Sequence, residues 1–194
     1  MVVQLSARWQ QLRRLQRRYV LAALLSAELS HGSSALGGHV AVNSRAKGRA
    51  FEQLIARDLR AQLGPGWVVM RNQTDRQRGQ QGAAGEFSVE RVDPSSGPDF
   101  AWCIECKAHK AFSEGMLWRS DVPALVVGWW RQATRQAESI GREPVLVMRR
   151  PHGEILAVVR EAEHLYSPPP RAVVRLDGDD VLVMRWDAWL ATLA

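Results

Sequence analysis

Two carboxylates and a lysine lie close together near the middle of the chain. Asp99 follows Gly-Pro, and Glu105 and Lys107 flank a cysteine in Glu105-Cys106-Lys107. Carboxylate oxygens are the protein ligands that Mg²⁺ prefers, and a lysine beside them can orient or help to deprotonate a water molecule. A cation, an activated water and a positioned charge are the requirements for hydrolysing a phosphodiester. These residue types at this spacing therefore predict a metal-dependent phosphodiesterase site.

Alternation along a β-strand determines which of these side chains meet. On a strand over residues 101–106, Glu105 points to the same face as Lys107, whereas Cys106 points to the other face. Asp99, just after a Gly-Pro turn signal, is expected on a neighbouring strand or bulge, so that both acids converge on one cation. The backbone carbonyl of Cys106 is a candidate further ligand. The alternative is an ordinary surface Glu and Lys, but charged residues are costly on such apolar strands.

A third carboxylate comes from an upstream helix predicted over residues 46–63. Glu52 lies next to the apolar stripe of this helix, and we expect it to bind the metal directly or through water. Arg45, Lys47 and Arg49 stand at the helix N-terminus, where backbone N–H groups add a field that favours phosphate. Their alternative role is that of solvated surface charge.

The positive charge of the chain is unevenly distributed. The 194 residues carry a net charge of +6, but residues 1–50 alone contribute +7. Such clustering is typical of proteins that bind a polyanion, so nucleic acid is the expected partner, with a solubilising basic face as the alternative. Arg76 and Arg78 lie in a stretch rich in Gln, Arg and Gly, which is either a DNA-contacting loop or an ordinary surface loop.

The pattern of elements divides the chain into two parts. Residues 1–43 are predicted to form a basic helix over 5–29 and a flexible linker, and residues 44–194 one α/β domain. In that domain a mixed central β-sheet is flanked by helices. Further strands are expected at 67–71, around Asp99, and at 145–148, 155–159, 172–176 and 181–184, with helices at 129–140 and 188–193.

Several other classes of protein are disfavoured. Cys103 and Cys106 form a CxxC motif, but a structural zinc site needs four ligands and a redox pair needs a helix N-terminus, so buried core thiols are expected. This cysteine usage is typical of a reducing cytoplasm. The apolar run over 20–25 is too short to span a bilayer, and no signal peptide is evident, so no membrane association is expected.

The order of these motifs resembles the PD-(D/E)xK nuclease superfamily. The likeness runs from Glu52 through Gly97-Pro98-Asp99 and Glu105-Cys106-Lys107 to a helix that bears Gln132. Within the superfamily, the segments 47–52 and 129–146 resemble archaeal-type and phage Holliday junction resolvases. The likeness covers roughly residues 44–160.

The resemblance implies a restriction-endonuclease-like core and a homodimer that cleaves branched or double-stranded DNA. It implies Mg²⁺ as cofactor, with Mn²⁺ as a substitute, in the cytoplasm of a bacterium or a phage-infected cell. It also implies roles for particular residues: Glu52, Asp99 and Glu105 as metal-binding acids, Lys107 as the catalytic lysine, and Gln132 as the polar residue near the site. Gln136, one turn further along the helix, is the alternative to Gln132.

Two other functions share these features. Restriction and repair endonucleases use the same residue types on linear DNA, and a non-catalytic DNA-binding module would retain the basic N-terminal segment without turnover. Cleavage of linear duplex identifies the first, and salt-sensitive binding without metal-dependent cleavage identifies the second.

Overall fold

A mixed five-stranded sheet and a separate two-stranded ribbon form the framework of the molecule. The computed structural model describes residues 44–72, 85–119, 121–161 and 172–193, with side chains from residue 46 onwards. The predicted helix over 5–29 and the basic residues Arg76 and Arg78 lie outside these residues. None of the described helices is long and apolar enough to cross a membrane.

The described elements alternate between helices and strands. The strands are β1 (Trp67–Arg71), β2 (Phe87–Arg91), β3 (Trp102–Ala108), β4 (Glu143–Arg149), β5 (Leu156–Arg160), β6 (Ala172–Leu176) and β7 (Asp179–Arg185). The α-helices are α1 (Ser44–Leu63), α2 (Ala124–Glu138) and α3 (Trp186–Leu190), with short 3₁₀ turns at Pro94–Ser96, Glu114–Trp118 and Ala191–Leu193. The predicted α/β class with a mixed sheet flanked by helices is confirmed.

The five-stranded sheet has the order β3-β4-β5-β7-β6. Strands β3 and β4 are parallel and are connected through α2, whereas the remaining pairs are antiparallel. Parallel neighbours need a long crossover of this kind, which covers one face of the sheet. Asp177 and Gly178 form the two-residue turn between β6 and β7, both with positive φ, as an Asp-Gly hairpin turn requires.

The two faces of the sheet are covered by different helices. Phe51, Ile55 and Leu59 of α1 are buried in one apolar cluster with Val145 and Val147 of β4. The intervening residues of β4 pack in a second cluster with α2, whose buried side chains are Val126, Trp130 and Ala133. A strand that is apolar on both faces is typical of the centre of such a three-layer domain.

The ribbon of β1 and β2 lies next to β3 at one point only among the described backbone contacts. The N–H of Glu86 donates to the carbonyl of Ile104 over 2.8 Å, just before β2 begins. Gly85 has a φ of +77°, and a Cβ added there would lie 2.8 Å from the Ile104 carbonyl oxygen. Glycine is therefore required where the chain enters β2, because its backbone passes so close to β3.

The structure corrects two predicted elements. No strand surrounds Asp99, which lies in the connection between the Pro94–Ser96 turn and β3. The strand that pairs with β1 is instead β2, whose alternation of Phe87, Ser88, Val89 and Glu90 matches its burial. Helix α2 begins five residues earlier than predicted, at Ala124, because burial of Val126 in the core offsets the low helix propensity of this stretch.

Candidate active site

Glu105, Lys107 and Gln132 form a closed hydrogen-bonded group between β3 and α2. Lys107 donates from Nζ to Glu105 Oε1 over 2.6 Å and to Gln132 Oε1 over 3.0 Å. Gln132 in turn donates from Nε2 to Glu105 Oε1 over 2.8 Å. The structure thus brings together three of the predicted site residues. It also orients Lys107, since two of the three N–H groups of its ammonium are occupied.

The Glu105 carboxylate is fully buried, with 1% of its side chain exposed. Helix α2 covers the face of β3 that carries it. The second carboxylate oxygen, Oε2, has no hydrogen-bond partner among the described residues. Leaving a buried polar atom unpaired costs on the order of 1–3 kcal/mol, so this oxygen is a candidate ligand for a cation.

Glu52 lies on the other side of the sheet, in the third turn of α1. Its Oε2 accepts two hydrogen bonds from Arg71 at the end of β1, one of them from Nε over 3.0 Å. Both of these N–H groups of Arg71 donate to this one oxygen, and no described residue donates to Oε1. This contact is not predicted from the sequence. It depends on the position of Arg71 at the end of a strand beside α1, which only the structure shows.

Glu86 is the acid that sequence reasoning missed. It is 4% exposed and is one of three buried polar or charged residues in the described part of the chain, together with Asn72 and Glu105. Burial raises the pKa of the Cys106 thiol well above its usual value, and the charges of Glu86, Glu105 and Glu52 raise it further, in that order. The backbone contact of Glu86 with Ile104 places Glu86 next to the strand that carries Glu105 and Cys106.

Asp99 is not brought to this group. It is exposed, and the preceding carbonyl of Pro98 accepts a hydrogen bond from Arg91 at the far end of β2. Glu86, just before the start of β2, lies five residues before Arg91. Five residues of extended chain correspond to roughly 16 Å. The structure does not bring Asp99 next to Glu105, because the β2–β3 connection carries Asp99 to the opposite end of the ribbon.

The two cysteines are free and buried, as predicted. Burial, followed by the charge of Glu105, raises the pKa of the Cys103 thiol to about 12, against a smaller opposing effect of Arg142. The backbone of Cys106 has a different role. Because carbonyl directions alternate along a strand, its oxygen points to the same side as that of Ile104, toward the ribbon and Glu86.

The residues fit a divalent metal ion that takes only one or two of its ligands from protein carboxylates. No group of three or more His, Cys, Asp or Glu side chains within the described ranges is arranged to hold an ion. Mg²⁺ needs fewer, because it is usually bound by one or two carboxylates with water and substrate oxygens completing the shell. The unpartnered Glu105 Oε2 is a candidate for such a ligand. The Cys106 carbonyl, on the same strand, and Glu86, next to that strand, are the other candidates.

The predicted DNA-binding residues are only partly described. Lys47 and Arg49 are exposed in the first turns of α1. Arg45 belongs to the same helix, but its side chain is not among those described. No described carboxylate forms an ion pair with Lys47 or Arg49, so both remain available to an anionic partner.

A comparison with known families decides what this arrangement belongs to. A model of the family described as "phage putative PDDEXK endonuclease" matches residues 43–192. The chain belongs to this family. The match spans every helix and strand from α1 to α3, and it confirms the resemblance to the PD-(D/E)xK superfamily. No curated protein and no solved structure matches the chain.

Membership of the PDDEXK endonuclease family establishes the general class of protein. The family is named for a phage endonuclease, and nucleases of the PD-(D/E)xK type use divalent metal ions. The description specifies neither the ion nor a preference for DNA junctions. The site residues of this endonuclease therefore have to be assigned from its own geometry.

Proposed function

We propose that this chain is a Mg²⁺-dependent DNA endonuclease that hydrolyses phosphodiester bonds at the Glu105-Lys107-Gln132 site. The observation that carries the proposal is the buried Glu105 carboxylate, which shares one oxygen with Lys107 and Gln132 and leaves the other without a described partner. A buried carboxylate of this kind, in a member of an endonuclease family, is suited to holding a cation at the cleaved phosphate.

The ligands in this proposal are Glu105, Glu86 and the Cys106 carbonyl. Glu52, which lies on the α1 side of the sheet, would contribute only through water. Mg²⁺ is the proposed ion, with Mn²⁺ as a substitute, because oxygen donors of this kind suit both. A divalent ion bound there would screen the phosphate charge and acidify a water molecule. We assign Glu86 in place of Asp99, because Glu86 is buried and its N–H is hydrogen-bonded to Ile104 of β3, whereas Asp99 is exposed.

Lys107 is the proposed catalytic lysine. Its ammonium is held by Glu105 Oε1 and Gln132 Oε1, which leaves one N–H for the attacking water or a phosphate oxygen. The attacking water adds to phosphorus and releases a proton to solvent, and the bond from phosphorus to the leaving oxygen breaks as that oxygen takes up a proton from a second water. The lysine stabilises the negative charge that builds up on the phosphate oxygens. Gln132 holds the lysine in position throughout.

The proposed substrate is branched DNA, and the proposed active form is a homodimer. The support is the similarity of segments 47–52 and 129–146 to Holliday junction resolvases, together with the exposed Lys47 and Arg49. A dimer with one site per subunit can cut two strands of a four-way junction. Sedimentation of the protein at twice its chain mass of 21.7 kDa is the expected result.

The test compares a synthetic four-way junction with a linear duplex of the same sequence, in Mg²⁺ and in EDTA. We expect junction cleavage in Mg²⁺ that stops in EDTA and in Glu105→Gln, while Glu90→Gln, which changes an exposed glutamate on β2, retains activity. Metal-dependent cleavage that persists in Glu105→Gln would contradict the site.

The same experiment separates the alternatives. Equal rates on junction and linear duplex would overturn the junction preference and leave an endonuclease of the restriction or repair type. Salt-sensitive DNA binding without cleavage in Mg²⁺ or Mn²⁺ would indicate a non-catalytic binding module.

A further inference from the structure

Arg149, the last residue of β4, is held beside the site by an aromatic ring. Its guanidinium carbon lies 4.5 Å from the centre of the Phe51 ring, and Phe51 is buried immediately before Glu52 in α1. A guanidinium over an aromatic face is held in place by the ring while its edge N–H groups stay free to donate. The position of this cation is thus determined by the core.

The register of the sheet places Arg149 next to the catalytic strand. Arg149 pairs with Ala108, the residue after Lys107, and the N–H of His109 donates to the Arg149 carbonyl over 3.2 Å. Strand spacing and residue rise put the Cα atoms of Arg149 and Lys107 roughly 6 Å apart. Arg149 faces the α1 side and Lys107 the α2 side, so the two cations cannot bind the same oxygen.

The charge of Arg149 is not neutralised by any described carboxylate. Two other partly buried arginines are paired with acids, Arg71 with Glu52 and Arg160 with Glu138, Glu143 and Asp179. A third, Arg91, also stacks on an aromatic ring, but its guanidinium already donates to the Pro98 carbonyl and the Ser96 hydroxyl. No ion pair and no side-chain hydrogen bond to Arg149 occurs within the described residues. Arg149 is thus a half-buried cation with a fixed position and no described carboxylate partner, beside the end of β3. Such a cation is suited to an anionic ligand.

We propose that Arg149 binds a DNA phosphate that flanks the cleaved one. The inference rests on the proposed nuclease function and adds a substrate-binding residue to it. The exposed Lys47 and Arg49 in the first turns of the same helix extend the basic surface in the direction of Phe51. The bound strand would pass across the ends of β3 and β4, with Arg149 fixing its register relative to Lys107.

The competing role for Arg149 is packing alone, as a cover for Phe51. The two roles differ in salt dependence, because a phosphate contact releases counterions and a packing contact does not. Each contacted phosphate contributes about 0.9 to the slope of log K against log salt. The slope therefore reports the phosphate contact independently of a modest change in stability.

The experiment measures binding of a fluorescent four-way junction by anisotropy in EDTA, where no turnover occurs, across a series of salt concentrations. Arg149→Gln is compared with Arg175→Gln, which removes the same charge from an exposed position on β6, the opposite edge of the sheet from β3. We expect Arg149→Gln to raise Kd roughly tenfold and to lower the salt slope by about 0.9, with little change in Arg175→Gln.

Arg149→Lys keeps a cation over Phe51 and is the second variant, since Arg149→Gln could reduce stability. We expect it to keep the wild-type salt slope with a Kd between those of wild type and Arg149→Gln. Where the wild type binds and cleaves DNA, either of two results would overturn the assignment. One is that Arg149→Lys binds the junction as weakly as Arg149→Gln, and the other is that Arg149→Gln and Arg175→Gln have equal salt slopes. A wild type that binds no DNA overturns the proposed function as well.

Discussion

Gln132 of α2 donates a 2.8 Å hydrogen bond to the buried carboxylate of Glu105 on β3, across 27 positions of sequence. The crossover helix thereby becomes part of the site, and does more than connect two parallel strands. The oxygen of the same amide accepts a hydrogen bond from Lys107, so the two ends of the Gln132 side chain hold Glu105 and Lys107 in one geometry. Movement of α2 relative to β3 would separate these groups.

Replacing Gln132 with alanine should therefore reduce cleavage more than it reduces stability. Loss of the two hydrogen bonds leaves Lys107 and Glu105 less constrained, and we expect cleavage to slow roughly 10- to 100-fold. The free energy of unfolding should fall by about 1–2 kcal/mol. Gln136→Ala is the control, because the Oε1 of Gln136 is buried without a described partner. Equal activity losses in both variants, measured in single-turnover assays, would contradict a positioning role for Gln132.

Glu86→Gln should abolish metal-dependent cleavage, whereas Asp99→Asn should leave it near wild type. Glu86 lies among the carboxylates around Cys106, and Asp99 lies exposed at the other end of β2. A loss on the order of 10²-fold or more is expected for Glu86→Gln, since it removes a charge from the metal environment. Titration calorimetry with Mn²⁺ supplies a second readout, in which Glu86→Gln should bind the ion more weakly. The opposite ranking of the two variants would restore Asp99 as the ligand.

Gly85→Ala should destabilise the protein and lower its activity together. The added Cβ would meet the Ile104 carbonyl oxygen at 2.8 Å and the Cys103 sulfur at 2.9 Å. Gly64→Ala is a matched control, with a similar φ of +75° and open space around the new Cβ. We expect losses in unfolding free energy of about 1 kcal/mol for Gly64→Ala and about 3 kcal/mol for Gly85→Ala. Urea denaturation measures both, and equal losses would show that β2 can move away from β3.

Both thiols should resist labelling in the folded protein. Burial raises the pKa of Cys103 to about 12, so the thiol remains protonated and its thiolate fraction is very small at pH 7–9. Cys106 is 8% exposed and its pKa is raised in the same direction. An aromatic disulfide reagent should titrate two thiols after unfolding in urea and neither within minutes beforehand. Rapid labelling of one thiol in the native protein at pH 8 would contradict this burial.

Local patterns predicted much of the framework. The strand over 67–71, the helix that carries Glu52 and the alternation of residues along β3 follow from periodicity, which depends only on neighbouring residues. The Gly-Pro signal before Asp99 predicts a strand around Asp99, whereas the strand of the structure is β2, whose residues alternate in polarity. A turn signal marks a change of direction, but it does not say which side chains meet across it.

The sequence by itself determined that Glu105 and Lys107 share one face of a strand, and that a helix with polar residues follows them. Only the tertiary structure decided which second acid lies beside β3, because the close approach of Gly85 to Ile104 brings Glu86 to this strand while the β2–β3 connection carries Asp99 away. It also decided that Glu105 is buried, since α2 lies over that face. Strand alternation is local, whereas pairing and coverage depend on residues far apart in the chain.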